Sequence, residues 1–486
     1  MNKPIRTLSL FCGLLFLVLL GNATYLQYFK ADSLSKSSLN RRVIEASFAR
    51  ERGAILVGGE PVARSVKADD RYKWQRRYPQ GPLYAHETGW FSFFSQSGIE
   101  RSQNQVLSGD DPRLFARRLA DLLGSGQPKG GSVELTLDPK AQQAAYDGLQ
   151  ALGQGIQGSV VAIEPATGRI LAMVSLPSFD PNRLASHDLS RVSKADSRLE
   201  GDTAQPKLNR AIRTTLPPGS TFKLVTAAAA IENGLYDAES MVPAGAGYQL
   251  PQSSSVVHNS TGSACNPQQI TLKYALEWSC NTAFAKIAVK LGNAKMKKMA
   301  EAFGFNDTAL TDLPGEVQSV YPTLNEPNTA LSGFGQSDVR ATPLQMAMVA
   351  AGIANGGIVM TPHLVDELRS PDFDSLDKTN PTTYRRAISS ATARQLTDMM
   401  VGVVEEGTAA TAAIPGIRVA GKTGTAQTGR SDISNYAWFT SFAPADDPQV
   451  AVAVMIQNSQ RSNGEISGGG LAGPIAKAVM EAVIGK

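Results

Sequence analysis

Residues 159–177, SVVAIEPATGRILAMVSLP, form two apolar runs joined by a turn at Glu164 to Gly168, the pattern of a β-hairpin. Comparable strand patterns return near the C-terminus as VAGKTGTA (419–426), YAWFTSFAP (436–444) and QVAVAVMIQ (449–457), followed by a closing helix, GPIAKAVMEAVIG (473–485). Between them, PPGSTFKLVTAAAAIENG (217–234) is apolar nearly all round before Gly234, so its helix belongs inside a core. Further helical patterns fill 271–292 and 341–355. Strand pair, helices, three strands and helix predict an α/β fold of the α+β sandwich kind. Its antiparallel sheet is assembled from both ends of one domain, residues 156–486.

The N-terminus has a different texture. Lys3 and Arg6 precede an apolar run centred on Leu8 to Leu20, and Thr7 to Tyr25 is near the length that spans a bilayer, with Tyr25, Tyr28 and Phe29 at its outer end. A cleaved signal peptide is the alternative, with Gly21 to Ala23 as a small-residue cleavage site. The aromatic flank favours an uncleaved anchor: residues 1–6 as a cytoplasmic tail, 7–25 as a single transmembrane helix, and the remainder outside the cytoplasm. Disulfides are permitted there. Cys12 lies in the apolar run, leaving Cys265 and Cys280 as the exported pair, and a disulfide between them is expected. The net charge of +4 gives no reason to expect a nucleic-acid partner.

Residues 26–155 read as a separate N-terminal domain. ILVGGEPVARSV (55–66) predicts strand, Gly-Gly turn and strand, and DPRLFARRLADLLGSG (111–126) predicts a capped helix ending at Gly124. Gln127 to Gly131 reads as a linker, and SVELTLDPKAQQAAYDGLQAL (132–152) as a strand followed by a helix with Asp138 as N-cap and Pro139 at its first position. Ser190 to Lys207 reads as a polar loop.

GIRVAGKTGT (416–425) spells two chemistries. As G-x-x-x-x-G-K-T it matches a phosphate-binding loop, in which a helix starts at the lysine. Here Pro415 and Gly416 form the turn, Ile417 to Ala420 is read as strand, and Gly424 and Gly429 block a following helix. Nor does an apolar strand ending in Asp follow, so nucleotide binding is excluded. GQGIQG (153–158) fits G-x-G-x-x-G but precedes a strand, so the dinucleotide reading fails as well. The four histidines (His86, His187, His258 and His363) form no H-x-x-x-H pair, and G-x-S-x-G is absent, so neither a zinc hydrolase nor a Ser-His-Asp hydrolase is expected.

Lys422 then has another use. In Pro217 to Lys223, Ser220 precedes a helix and is followed three positions on by Lys223 where a capping box would carry Glu or Gln. Residues three apart are neighbours on a helix. A serine nucleophile needs an adjacent base, and a lysine becomes one when burial and a second cation, here Lys422, depress its pKa. S-x-x-K also occurs at Ser33 and Ser375, and S-x-N occurs at Ser38, Ser102 and Ser279. Only Ser220 opens a long buried helix and is followed by S-x-N between helices (Ser279 to Asn281) and by K-T-G on a strand.

With these motifs, R-G-A-I at 52–55, L-T-L-D at 135–138, G-F-G-Q at 333–336 and A-N-G-G at 354–357, the chain resembles a class B penicillin-binding protein. Its short N-terminal region resembles the pedestal or dimerisation-like domain of the compact actinobacterial form. The resemblance implies a membrane-anchored D,D-transpeptidase of cell-wall synthesis, linked to cell division, with no cofactor and no metal. It implies that Ser220 attacks the penultimate D-Ala carbonyl of a stem peptide, Lys223 takes its proton, Ser279 returns a proton to the leaving D-Ala, and Asn281 holds the peptide amide and Lys223. Lys422, Thr423, Gly424 and Thr425 bind the terminal carboxylate side, and the N–H groups of Ser220 and Thr425 form the oxyanion hole. Implied partners are peptidoglycan stem peptides and their lipid-linked precursor, β-lactams, and a glycosyltransferase or division-complex protein. A D,D-carboxypeptidase or a penicillin-responsive sensor or scaffold shares the fold and stays open here.

Overall fold

The computed structural model describes residues 3–30, 45, 47–114, 129–429 and 433–485. The apolar N-terminus is one helix, α1 (Lys3–Thr24), continued by a wider turn at Tyr25–Phe29, and it is long and apolar enough to cross a membrane. Its few hydroxyls are satisfied internally: Thr7 and Ser9 donate to the carbonyls of Lys3 and Ile5.

The N-terminal domain is built on β1 (Ile55–Val57), β2 (Glu60–Lys67), β3 (Trp74–Arg77) and β4 (Ser132–Leu135). Gly58 and Gly59, both at positive φ, make the tight turn between β1 and β2. β4 lies parallel to β1. The segment expected as a linker is, where described, a packed crossing. Gly130 N–H donates to the Glu51 carbonyl, and a Cβ on Gly53 would stand 1.8 Å from Gly131 O. These glycines permit two backbones to touch, a long-range requirement that locally looks like a flexible joint. Of the helix expected from 111, a short turn at Pro112–Leu114 is described and residues 115–128 lie outside the described set. A buried carboxylate ties this domain: Glu100 accepts from Arg52 Nε (2.6 Å), Arg76 Nε (2.5 Å) and Tyr78 OH (3.1 Å). Burial pushes its pKa up, but the two guanidinium charges outweigh burial and hold it below the usual range.

Next come α2 (Pro139–Gln150), β5 (Gln157–Ile163), β6 (Ile170–Leu176) and α3 (Leu189–Glu200). Asp138 caps α2 by accepting from Ala141 N–H (2.8 Å), as its position before Pro139 predicts. α3 replaces the expected polar loop. Asp188 caps it, and Val192 is its one fully buried residue, so little apolar periodicity betrayed it. α4 (Lys223–Glu232), α5 (Leu272–Glu277), α6 (Asn281–Leu291) and α7 (Pro343–Ala354) follow. Strands β7 (Val365–Arg369) and β8 (Ser375–Lys378) then run back to the N-terminal domain, giving a sheet ordered β8-β7-β4-β1-β2-β3.

After α8 (Ser390–Glu405), the strands β9 (Ala420–Ala426), β10 (Tyr436–Ala443) and β11 (Val450–Asn458) and helix α9 (Gly473–Ile484) close the chain. The second sheet is ordered β9-β10-β11-β5-β6 with every pairing antiparallel, so it is assembled from both ends of the domain as the strand pattern predicts. α2 and α9 pack on one face of it, and α7 and α8 on the other. Residues Lys223 to Ala230 of α4 are all buried. Two of the motifs come to the seam between this helical layer and the free edge strand β9.

Candidate active site

The chain enters α4 through a tight 3-10 turn, Gly219–Phe222, so the α-helix proper begins at Lys223, three residues later than the serine. Gly219 is at φ +56°, and its N–H donates to the Gly335 carbonyl (3.0 Å). Thr221, not Ser220, closes the turn, its hydroxyl donating to the Pro218 carbonyl (2.7 Å). Ser220 does not cap the helix, and its Oγ lies 3.0 Å from Lys223 Nζ.

Lys223 is fully buried, and its Nζ has three further neighbours: the Ser279 carbonyl at 2.6 Å, Ser279 Oγ at 3.0 Å and Asn281 Oδ1 at 2.8 Å. Asn281 is oriented by its own amide, whose Nδ2 donates to the His258 carbonyl (3.1 Å). Burial, and then the charge of Lys422, hold the Lys223 amine well below the usual lysine value. Four oxygens thus surround the amine, from Ser220, Asn281 and both the carbonyl and the hydroxyl of Ser279. The carbonyl and Asn281 Oδ1 can only accept, so each takes an N–H of the amine, while the two hydroxyls can also donate to it when it is deprotonated.

Cys265 and Cys280 are joined as a disulfide, Cα to Cα 5.4 Å, placing a covalent tie inside the S-x-N segment. Beside it Asn259 accepts from Thr282 N–H (3.1 Å) and donates to the Gly245 carbonyl (2.9 Å). The 245–265 loop and the start of α6 are thus one hydrogen-bonded unit.

Lys422 to Thr425 lie within β9, which begins at Ala420 and not at Ile417 as expected from the apolar residues. Gly424 is where strand and serine turn touch: a Cβ there would stand 2.9 Å from Pro218 O and 3.0 Å from Thr221 Cγ2. Thr425 O faces the turn as well, 3.0 Å from where a Gly219 Cβ would lie, and in a strand the N–H of a residue points to the same side as its carbonyl. Lys422 is fully buried, its Nζ donating to the Thr423 carbonyl (3.2 Å), and burial lowers its pKa to about 7. Because the strand runs on through Lys422, no helix N-terminus is available for phosphate.

The structure therefore gathers Ser220, Lys223, Ser279, Asn281 and the Lys422 to Thr425 strand around one seam. The rival motifs lie elsewhere: Ser375 is in the edge strand β8, Ser102 is in a short helix of the N-terminal domain, and Ser33 and Ser38 are outside the described residues. Sequence reasoning missed three supports. Gly335 carried a signal in its G-F-G-Q setting, while Asn259 and Thr408, whose hydroxyl lies 2.7 Å from that of Thr423, are isolated loop residues without one.

A serine beside a buried lysine, faced by a K-T-G edge strand, is the arrangement that a serine acyltransferase site requires. Comparison with known proteins agrees over nearly the whole chain. Residues 158–481 match the penicillin binding protein transpeptidase domain, and 52–133 the penicillin binding protein A dimerisation domain. The chain is 43% identical to the peptidoglycan D,D-transpeptidase PbpA of Mycolicibacterium smegmatis, covering 100% of this chain and 99% of that one. It is 41% identical, with the same coverage, to PbpA of Mycobacterium tuberculosis. A solved structure of penicillin-binding protein A from M. tuberculosis, a ceftriaxone acyl-enzyme complex, superimposes with a TM-score of 0.85 at 40% identity, covering 90% of this chain and 100% of that one. The chain belongs to the class B penicillin-binding proteins, the peptidoglycan D,D-transpeptidases.

Proposed function

We propose that this chain cross-links peptidoglycan stem peptides through an acyl-enzyme on Ser220. Lys223 takes the Ser220 proton as Oγ attacks the carbonyl carbon of the penultimate D-Ala. The N–H groups of Ser220 and Thr425 receive the oxyanion. The C–N bond then breaks, and the terminal D-Ala leaves with the proton held by Lys223, passed through the Ser279 hydroxyl. Asn281 holds the donor amide, and Lys422 with Thr423 and Thr425 binds its terminal carboxylate. An amine of a neighbouring stem attacks the ester, gives its proton to Lys223, and Ser220 regains one as it leaves. β-Lactams acylate Ser220 by the same first step, as with the relative captured as a ceftriaxone acyl-enzyme.

The observation that carries this reading is the contact between Ser220 Oγ and a buried Lys223 that is also held by the Ser279 carbonyl and Asn281. Ser220→Ala should abolish labelling by fluorescent penicillin, and persistent labelling would remove Ser220 from the role. A stem-peptide donor offered with and without an acceptor amine separates the alternatives. Cross-linked product supports the transpeptidase, free tetrapeptide alone a carboxypeptidase, and acylation without turnover a sensor. On the same reading residues 7–25 anchor the protein, the domain from about 156 works outside the cytoplasm, and the 26–155 domain contacts a glycosyltransferase or division-complex partner.

A further inference from the structure

We infer that Thr408 is a positioning residue for recognition of the donor's terminal carboxylate, acting through the hydroxyl of Thr423; this rests on the role proposed above for the K-T-G strand. Thr408 follows the end of α8, and its backbone is held from two sides. A Cβ on the preceding Gly407 would lie 2.4 Å from the Glu277 carbonyl oxygen, on the segment that leads into Ser279. A Cβ on Gly469 would lie 2.7 Å from Thr408 O and 3.4 Å from Thr423 Cγ2, and Thr411 Oγ1 donates to the Gly469 carbonyl (2.6 Å). The neighbouring Gly468 backs the same strand, since a Cβ there would meet Gly424 O at 2.5 Å. Thr408 is thereby registered against both the S-x-N segment and the K-T-G strand.

The hydroxyls of Thr408 and Thr423 are 2.7 Å apart, and each is the other's hydrogen-bond partner among the described residues. Each hydroxyl has one proton to give, so the pair can run in either direction. A carboxylate removes the choice, because it only accepts. Thr423 must donate to it, and the Thr423 oxygen must then take its proton from Thr408. In that direction the two bonds reinforce one another and end on a charge, the arrangement in which hydrogen bonds are strongest. In the other direction Thr423 would present lone pairs to the carboxylate. Thr408 thus selects the donating state of Thr423 without itself touching substrate.

The test uses the whole protein with benzylpenicillin, its methyl ester and the stem-peptide donor. Thr408→Val keeps the branched shape and loses the hydroxyl. It should weaken pre-acylation binding of the free-carboxylate ligands by about ten-fold, the range of a hydrogen bond to a charged group, with little change in the limiting acylation rate. Acylation by the methyl ester should be unchanged, and Thr408→Ser should restore the wild-type value. If Thr408→Val fails to fold, Thr408→Ser against Thr408→Ala isolates the same hydroxyl. Equal losses for acid and ester, or no loss for either, overturn the inference. Ser220→Ala run alongside keeps the two readings apart: acylation surviving in that variant overturns the Ser220 mechanism, whatever Thr408 does.

Discussion

Lys223 Nζ is 2.6 Å from the carbonyl oxygen of Ser279, a residue held in the left-handed conformation at φ +57°. This backbone bends the chain between α5 and α6 so that carbonyl and hydroxyl of one serine both face the amine. A non-glycine residue in this conformation costs about 1–2 kcal/mol. Ser279→Gly should therefore be more stable than Ser279→Ala by about 1 kcal/mol in thermal unfolding, while both lose at least about ten-fold in penicillin acylation with the missing hydroxyl. Wild-type acylation in either variant would remove that hydroxyl from the mechanism.

The two buried lysines make stability depend on pH with a fixed sign. Burial holds Lys422 at about 7, against 10.5 for an ordinary lysine, and burial and then the charge of Lys422 hold Lys223 well below that ordinary value. Between folded and unfolded values the unfolded chain binds more protons, so stability is full above the unfolded value and is lost as pH falls toward the folded one. Lys422→Met removes one such group. Its stability relative to wild type should increase as pH drops from 10 to 7, by up to about 1.4 kcal/mol per pH unit in urea unfolding. A difference that stays flat with pH would contradict the burial of a neutral amine. The acid limb of penicillin acylation should also move to higher pH in this variant, because one of two causes depressing Lys223 is gone.

Gly335 fixes the height of the serine turn. It sits at φ +74°, and a Cβ would stand 2.1 Å from Gly219 O. Gly335→Ala should destabilise the protein by about 2 kcal/mol or more, from conformation and clash together, and slow acylation even in the folded fraction. Normal acylation at full occupancy of the native state would show that the Gly219–Gly335 contact is dispensable.

The disulfide between Cys265 and Cys280 closes a loop of 15 residues. In the chain-entropy model such a loop stabilises by about 3 kcal/mol. A dithiol reductant should lower the melting temperature of the wild type and slow penicillin acylation, because the tie lies beside Ser279 and Asn281. The Cys265→Ala, Cys280→Ala double variant should start from the lower values and show no response to reductant. A response in that variant would place the sensitivity elsewhere.

What was legible in the sequence follows from how local each requirement is. Lys223 is three residues from Ser220, and a helical spacing of three already makes them neighbours. Asp138 before Pro139 is a complete capping signal, and the strand patterns at 159–177 and 419–457 were sufficient to foresee a sheet built from both ends. Features that depend on distant partners were misread or silent. Gly130 and Gly131 looked like a joint because nothing nearby records Glu51, Val106 and Gly53, the backbones they touch. β9 starts three residues beyond its apolar beginning because pairing with β10 defines it.

By itself the sequence determined the sheet's strands and the helix that follows Ser220, the order of the three motifs, the disulfide pair and the chemistry that serine, lysine and K-T-G can perform, since these rest on residue type, spacing and short-range geometry. Only the tertiary structure decided that the Lys223 amine is held well below the usual lysine value, as a base at that position requires. Its pKa depends on burial and on a lysine 199 positions away in the chain, and both exist only once β9 has closed against the serine turn.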